Sequence, residues 1–267
     1  MKGEDGGTGD TLYGLQYLRD IYTKAVPDVS GRVTVPVLWD KQRETIVSKK
    51  SSEIIRMFNS AFNGLTGNTL DFWPEAKRDK IEEVNARIYD TLNNGVYKSG
   101  FATTRAAYDA AVGPLFDTMD WLENPLSRQR YFAGDQITEA DWRLFTTLVR
   151  FDAVYHGHFK CNGNKLVEFP NLWAYTRELY QVPDMGEKIN MHHITRHYHY
   201  SHESVNPHRI VPIGPQPDWM EPHGREAMAK AAGAVAQDRD QTRPAWGFAS
   251  ALVVSHLAPG KSLGASA

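Results

Sequence analysis

Apolar positions recur along this chain with two periods, and the change from one to the other divides it. Leu12, Leu15, Leu18, Ile21 and Tyr22 fall at helical spacing before Pro27 and Gly31 end the run, which predicts a helix over residues 12–24. Two short runs rich in β-branched residues follow, at 33–39 and 44–47, joined by the polar turn Lys41-Gln42-Arg43. They predict two strands. The first carries Pro36, which removes a ladder donor and so suits an edge, a bulge or a cis Val35-Pro36 bond. Ser51 or Ser52 then opens a helix from Glu53 to Phe58, offering a hydroxyl to a free amide and an acidic side chain to the first turn. Residues 11–60 are thus expected to run helix, strand, strand, helix.

Asn63, Gly64, Gly67 and Asn68 punctuate a linker over residues 61–74, and beyond it every apolar period is helical. Ile81, Val84, Ile88 and Leu92 share one face of the segment from Glu75 to Asn94. Val112, Leu115, Met119 and Leu122 do so from Thr103 to Glu123, a helix interrupted by Gly113-Pro114. Ile137-Thr138-Glu139-Ala140-Asp141-Trp142 starts another, with Thr138 as cap and Asp141 placed to bond back to it. Phe169-Pro170 opens a further helix with proline in its first turn, ending near Pro183. From Pro207 the chain turns proline-rich and is expected to lie extended over the helices. The helical domain is placed at 75–224 and a low-complexity tail at 225–267.

Composition narrows the picture. A chain of 267 residues with 41% hydrophobic content has room for two domains, and a net charge of -2 argues against a polyanion partner such as nucleic acid. No apolar run approaches the ~20 residues of a membrane helix, and the first ten residues are glycine-rich and acidic, unlike a signal peptide. The single cysteine, Cys161, excludes an intrachain disulfide and fits a reducing, cytoplasmic setting. Trp and Tyr cluster between Tyr89 and Tyr200, where rings either fill a core or line a pocket. His193 and His197 lie four apart with His192, His199 and His202 close by, a spacing that two metal ligands can use. No His-Glu-x-x-His arrangement accompanies them, and these rings are read as part of an aromatic cleft or as partners of the C-terminal segment, with no metal.

The order helix, strand with Val-Pro, strand, serine-opened helix, then a helical domain with a Thr-x-x-Asp box resembles a glutathione transferase. The resemblance implies the fold class: α+β, a partial thioredoxin-like domain with αββα order and then the all-helical transferase domain. The wording of Leu12-Tyr13-Gly14-Leu15-Gln16-Tyr17-Leu18-Arg19, of Asn94-Gly95-Val96-Tyr97-Lys98-Ser99-Gly100-Phe101-Ala102 and of His158-Phe159-Lys160-Cys161-Asn162 resembles the Xi class, the glutathionyl-hydroquinone reductases. Pro170-Asn171-Leu172-Trp173 and Ile189-Asn190-Met191-His192-His193 extend the resemblance, which covers residues 12–223. It implies glutathione as co-substrate, quinone-type substrates, and a homodimer made through the helical domain. It also implies a cysteine thiolate at a helix N-terminus that attacks the thioether sulfur of the substrate.

Resemblance assigns glutathione to the backbone at Val35 and Pro36, to the Ser51 hydroxyl, and more weakly to Arg19. Lys50 stands where the family usually has a glutamate for the glutathione amino group, so weakened binding is expected. The quinone side falls to Tyr97 and Tyr198, with His197 and Tyr155 behind them, because phenol hydroxyls bond hydroquinone oxygens. The family's nucleophile lies in a Cys-Pro-Trp-Ala segment ahead of the helix that begins at Leu12, and the chain is expected to be an N-terminally truncated member without it. Cys161 is read as structural, although Lys160 beside it favours a thiolate. Two functions stay open: a glutathionyl-hydroquinone reductase, or a non-catalytic relative that binds aromatic ligands or dimerises.

Overall fold

The structure is a computed structural model and describes residues 9–231. Two compact units divide the described chain between Thr69 and Leu70.

The first unit runs α1 (Leu18–Ala25), β1 (Leu38–Asp40), β2 (Thr45–Ser48), α2 (Ser51–Ser60) and the single turn α3 (Asn63–Thr66). The expected αββα order is present, but its elements are shorter or displaced. The helix expected from Leu12 starts at Leu18 because the Asp10 carboxylate accepts the Leu12 and Leu15 amides, at 2.8 and 3.0 Å, and Gly14 adopts φ +69°. Those amides serve an Asx-type turn instead of a helical ladder. Residues 33–37, expected as strand, are outside the sheet. The Tyr22 hydroxyl donates to the Thr34 carbonyl at 2.7 Å and accepts the Thr34 amide at 3.2 Å, so a side chain replaces the neighbouring strand. The Val35-Pro36 bond is cis. β1 and β2 pair antiparallel, Trp39 with Ile46 and Asp40 with Thr45, about a turn in which Asp40 accepts the Gln42 and Arg43 amides.

Ser51 and Ser52 do not cap α2. Both are helical, Lys50 is the boundary residue with no side chain capping the helix, and two residues ahead of it stands the Ser48 hydroxyl. It accepts the Lys50 amide at 3.1 Å and donates to Glu53 at 2.8 Å. Helix α2 also runs two residues beyond Phe58, to Ser60.

The second unit contains α4 (Arg78–Ile88), α5 (Gly95–Gly100), α6 (Arg105–Leu126), α7 (Glu139–Arg150), α8 (His156–His158), α9 (Pro170–Tyr180) and α10 (Met191–Ser201). Ile81, Val84, Ile88 and Leu92 sit at 1% exposure or less, the face their period predicts. Pro114 lies inside α6, which continues to Leu126. The Asp141 carboxylate accepts the Thr138 amide at 2.7 Å, the Phe132 amide at 3.1 Å and the Tyr175 hydroxyl at 2.8 Å. It therefore ties the start of α7 to the preceding loop and to α9, and burial pushes its carboxyl above the ordinary range.

Two wide turns with i to i+5 bonding, Tyr89–Asn93 and Phe151–Tyr155, interrupt the helical register after α4 and after α7. Such turns add a residue and re-aim the next stretch of helix. Residues 202–225 carry no helix or strand and lie against the helices as expected. Trp219 stacks on Tyr180 with centroids 5.1 Å apart, and Gln181 donates to the Trp219 carbonyl at 2.8 Å. Arg225, expected in the tail, is 3% exposed and bonds Glu178 and the carbonyls of Leu126, Gln129 and Arg130. The rest of the expected tail, from residue 232, lies outside the described residues.

Candidate functional site

Three tyrosines from three elements meet in the second unit. Tyr97 comes from α5, Tyr155 closes the wide turn after α7, and Tyr198 lies in the second half of α10. Asn190 caps α10, its side chain accepting the His193 amide at 2.9 Å. The Tyr198 hydroxyl is 2.5 Å from that of Tyr97 and 2.9 Å from that of Tyr155, a continuous chain of three. Phe159 braces it, with ring centroids 5.3, 5.7 and 5.9 Å from Tyr97, Tyr155 and Tyr198. Tyr155 and Tyr198 are buried, whereas Tyr97 is half-buried.

Burial pushes the Tyr97 and Tyr155 phenols well above their ordinary range, so both are neutral hydroxyls at physiological pH. In each the Arg150 guanidinium opposes that rise. Neutral phenol hydroxyls can donate hydrogen bonds to an oxygen on an aromatic ligand, and Tyr97 is the least buried of the three.

His197 packs its ring 5.2 Å from that of Tyr198, and its Nε2 is sealed from solvent without a hydrogen-bond partner. Burial, and then the Arg150 charge, lower its pKa. The histidines singled out for their spacing do not act as a set. His192 is exposed and His193 half-buried. His202 and His199 instead gather on His158, with His158 Nε2 3.1 Å from His202 Nδ1 and the His158 and His199 rings 4.6 Å apart. Among the described residues no group of three or more His, Cys, Asp or Glu side chains is arranged to hold a metal ion.

Cys161 is fully buried, and burial pushes its thiol up to about 12. Lys160 lowers that value, as its charge should, but desolvation outweighs the neighbouring charge.

In the first unit, Ser51 opens the first turn of α2 and Val35 and Pro36 form the cis bond. Lys50 is not a bare positive charge there. Its ammonium pairs with Glu53 at 2.8 Å, and that hydrogen bond raises the lysine pKa. Arg19 is two-thirds exposed, with its guanidinium 4.2 Å over the Tyr17 ring and 3.8 Å from Asp20. Sequence inspection passed over Arg150 and His158. Arg150 had one available signal, a basic residue set among the apolar Leu148, Val149 and Phe151.

An αββα unit with a cis-proline, followed by a helical domain built on a buried Thr-x-x-Asp box, is the architecture of a glutathione transferase. The family profile of the glutathione S-transferase C-terminal domain matches residues 105–178. Glutathionyl-hydroquinone reductase YqjG of Escherichia coli is 53% identical over 221 residues, which are 83% of this chain and 67% of that protein. Glutathionyl-hydroquinone reductase PcpF of Sphingobium chlorophenolicum is 52% identical over 77% of this chain and 66% of its own length. The chain thus spans about two thirds of these curated relatives. The glutathione-bound YqjG structure superposes with a TM-score of 0.82 at 52% identity, over 84% of this chain and 73% of that one. The Xi transferase of Phanerochaete chrysosporium gives 0.80 at 53%, over 83% and 76%. The chain belongs to the Xi class of glutathione transferases, the family of the glutathionyl-hydroquinone reductases.

Proposed function

We propose that this protein takes part in the glutathione-dependent reduction of glutathionyl-hydroquinones, with the Tyr97–Tyr198–Tyr155 hydroxyl chain as the wall that receives the hydroquinone. The observation that carries this is the chain itself: three phenols linked at 2.5 and 2.9 Å, in a member of a family whose curated relatives bear that activity in their names. In the reaction a thiolate attacks the thioether sulfur and a disulfide bond forms as the sulfur–carbon bond breaks. The ring carbon takes a proton, and a second glutathione resolves the mixed disulfide to glutathione disulfide. Hydrogen bonds from Tyr97 and Tyr198 to the ring oxygen stabilise negative charge that develops there. His197 lies beside this pair as part of the same wall.

The attacking thiolate is not Cys161, whose thiol is buried and protonated. Glutathione is assigned to the first unit: its backbone to the polar groups of Val35 at the Val35-Pro36 bond, and its γ-glutamyl carboxylate to Ser51 and the free amides of α2. Glu53 beside Lys50 offsets the lysine charge that would otherwise repel the glutathione amino group. Arg19 is a secondary candidate for a glutathione carboxylate. A homodimer through the helical unit belongs to the same proposal.

Equilibrium binding of a hydroquinone, followed by tryptophan fluorescence, tests the reading. Saturable binding is expected, weakened about five- to tenfold in Tyr97→Phe, the loss of a hydrogen bond of about 1 kcal/mol. Absence of saturable binding, or affinity unchanged in both Tyr97→Phe and Tyr198→Phe, would overturn it. Any thiol-dependent turnover of glutathionyl-hydroquinone is expected to survive Cys161→Ser.

A further inference from the structure

Past the phenol wall the chain is pinned twice in quick succession. The Cys161 amide donates to the Tyr155 carbonyl at 3.0 Å, and the Lys165 amide donates to the Glu168 carboxylate at 2.5 Å. Between these two anchors lie Asn162, Gly163 and Asn164, all exposed and in neither helix nor strand. Among the described residues no backbone or side-chain hydrogen bond reaches any of the three. Packing dictates the residue in the middle, because a Cβ on Gly163 would lie 2.8 to 3.1 Å from the Phe116 ring. Asn162 is therefore followed by the one residue whose backbone nitrogen is unhindered by a side chain.

An asparagine side-chain amide is a weak electrophile, and the backbone nitrogen of the next residue can reach its carbon through a five-membered ring. Closure needs a backbone free to turn, an unspent side chain and no Cβ in the way. The sequence has two other Asn-Gly pairs, and the fold restrains both. Asn94 holds helical angles of φ -86° and ψ -26°, its amide donates to the Tyr89 carbonyl at 3.0 Å, and Gly95 is buried at the start of α5. Asn63 lies in α3, where its Nδ2 donates to the Asn59 carbonyl at 3.3 Å and its own carbonyl accepts the Gly67 amide at 2.9 Å. Helical angles keep the following nitrogen away from the side-chain carbon. Asn164 shares the exposure of Asn162 but precedes Lys165, whose amide is spent on Glu168.

We propose that Asn162 is a site of spontaneous covalent modification, in which the Gly163 amide nitrogen attacks the Asn162 side-chain carbon. The new carbon–nitrogen bond closes a cyclic imide as the side-chain nitrogen leaves as ammonia, taking the Gly163 amide proton with it. Water then opens the ring to aspartate or isoaspartate. No thiol or bound ligand takes part, so the proposal is independent of the hydroquinone site. Its product carries one added negative charge in the segment that follows buried Cys161, and isoaspartate lengthens the backbone there.

The full chain is incubated at pH 8 and 37 °C, digested under acidic conditions beside an unincubated control, and mapped by mass spectrometry. A second sample is incubated unfolded in guanidinium chloride. In the native chain the peptide bearing Asn162 is expected to gain about one dalton at a rate at least about tenfold above that at Asn94, whose reaction waits for the buried start of α5 to open. Unfolded, the three Asn-Gly pairs should react at about the same rate, and Asn164 should lag behind Asn162 in both states. Asn162→Gln should remove most of the new acidic band seen in isoelectric focusing of the incubated native protein. A native rate at Asn162 no faster than at Asn94 overturns the inference. So does a native rate about tenfold or more below the unfolded one, since the fold would then be protecting the pair, or an acidic band undiminished in Asn162→Gln.

Discussion

Burial holds His158 and His202 in the neutral state. Burial, then the neighbouring imidazoles, push His158 down to about 3 and His202 down to about 4. An unfolded histidine ionises near ~6.5, so between that pH and about 4 the unfolded chain takes up protons that the folded chain refuses. Stability is complete above the window and falls as pH drops through it. The urea midpoint is expected to fall between pH 7 and pH 4, and His158→Phe, which abolishes one of the two titrations, should flatten that fall. Buried Asp141 and Asp152, whose carboxyls burial raises, act in the opposite direction. Wild type and variant share them, so the difference between the two slopes isolates the histidine. Parallel slopes would refute the assignment. None of this was legible in the sequence, where His158 is 44 residues from its partner and His193 and His197 made the more conspicuous pair.

Elements position the phenol wall through close contacts that composition does not reveal. A Cβ on Gly100, the last residue of α5, would lie 2.1 to 2.7 Å from the Phe159 side chain. Phe159 stacks on Tyr155 at 5.7 Å and on His202 at 5.6 Å, so it has nowhere to retreat. Gly100→Ala is expected to cost about 1–3 kcal/mol, as overpacking does, and to weaken hydroquinone binding by displacing Tyr155. Calorimetric melting against the wild type checks the first part and fluorescence titration the second. At the start of α7, Asp141→Ala strips acceptors from two amides and the Tyr175 hydroxyl. A loss of about 3 kcal/mol or more is expected in urea unfolding. That box was legible because its partners lie three residues apart. Displacement of α1 was not, since a helical apolar period at Leu12 and Leu15 lost to the carboxylate of Asp10, a contact that periodicity does not register.

At the scale of the molecule the two units differ in how much they bury. Among the described residues the buried apolar side chains of the first unit are Tyr22 and Ile54, whereas the contiguous core from Ile81 to Tyr198 belongs wholly to the second. Apolar burial is the main term holding a domain folded, and segments poor in it open first. Limited proteolysis is therefore expected to cleave within residues 9–69 first and leave a resistant fragment beginning near residue 70. Equal resistance of both parts would contradict this. The C-terminal strap is expected to belong to that fragment, because Arg225 locks it with a buried ion pair to Glu178 and three carbonyl contacts. Arg225→Ala should lower stability by about 3 kcal/mol or more, leaving Glu178 with less compensation, and should expose residues 202–224 to protease.

By itself the sequence determined the helical period of residues 78–180, the capping box, the proline bond after Val35, and membership of the Xi class. Each depends on residues close together in the chain or on wording shared with relatives. Which side chains share a wall was decided by tertiary structure alone. Two wide turns shift the helical register by a residue, and the second carries Tyr155 to the place where α5 and α10 supply Tyr97 and Tyr198. Burial then set the chemistry, keeping the phenols and imidazoles neutral, because desolvation depends on everything packed around a group rather than on its neighbours in sequence.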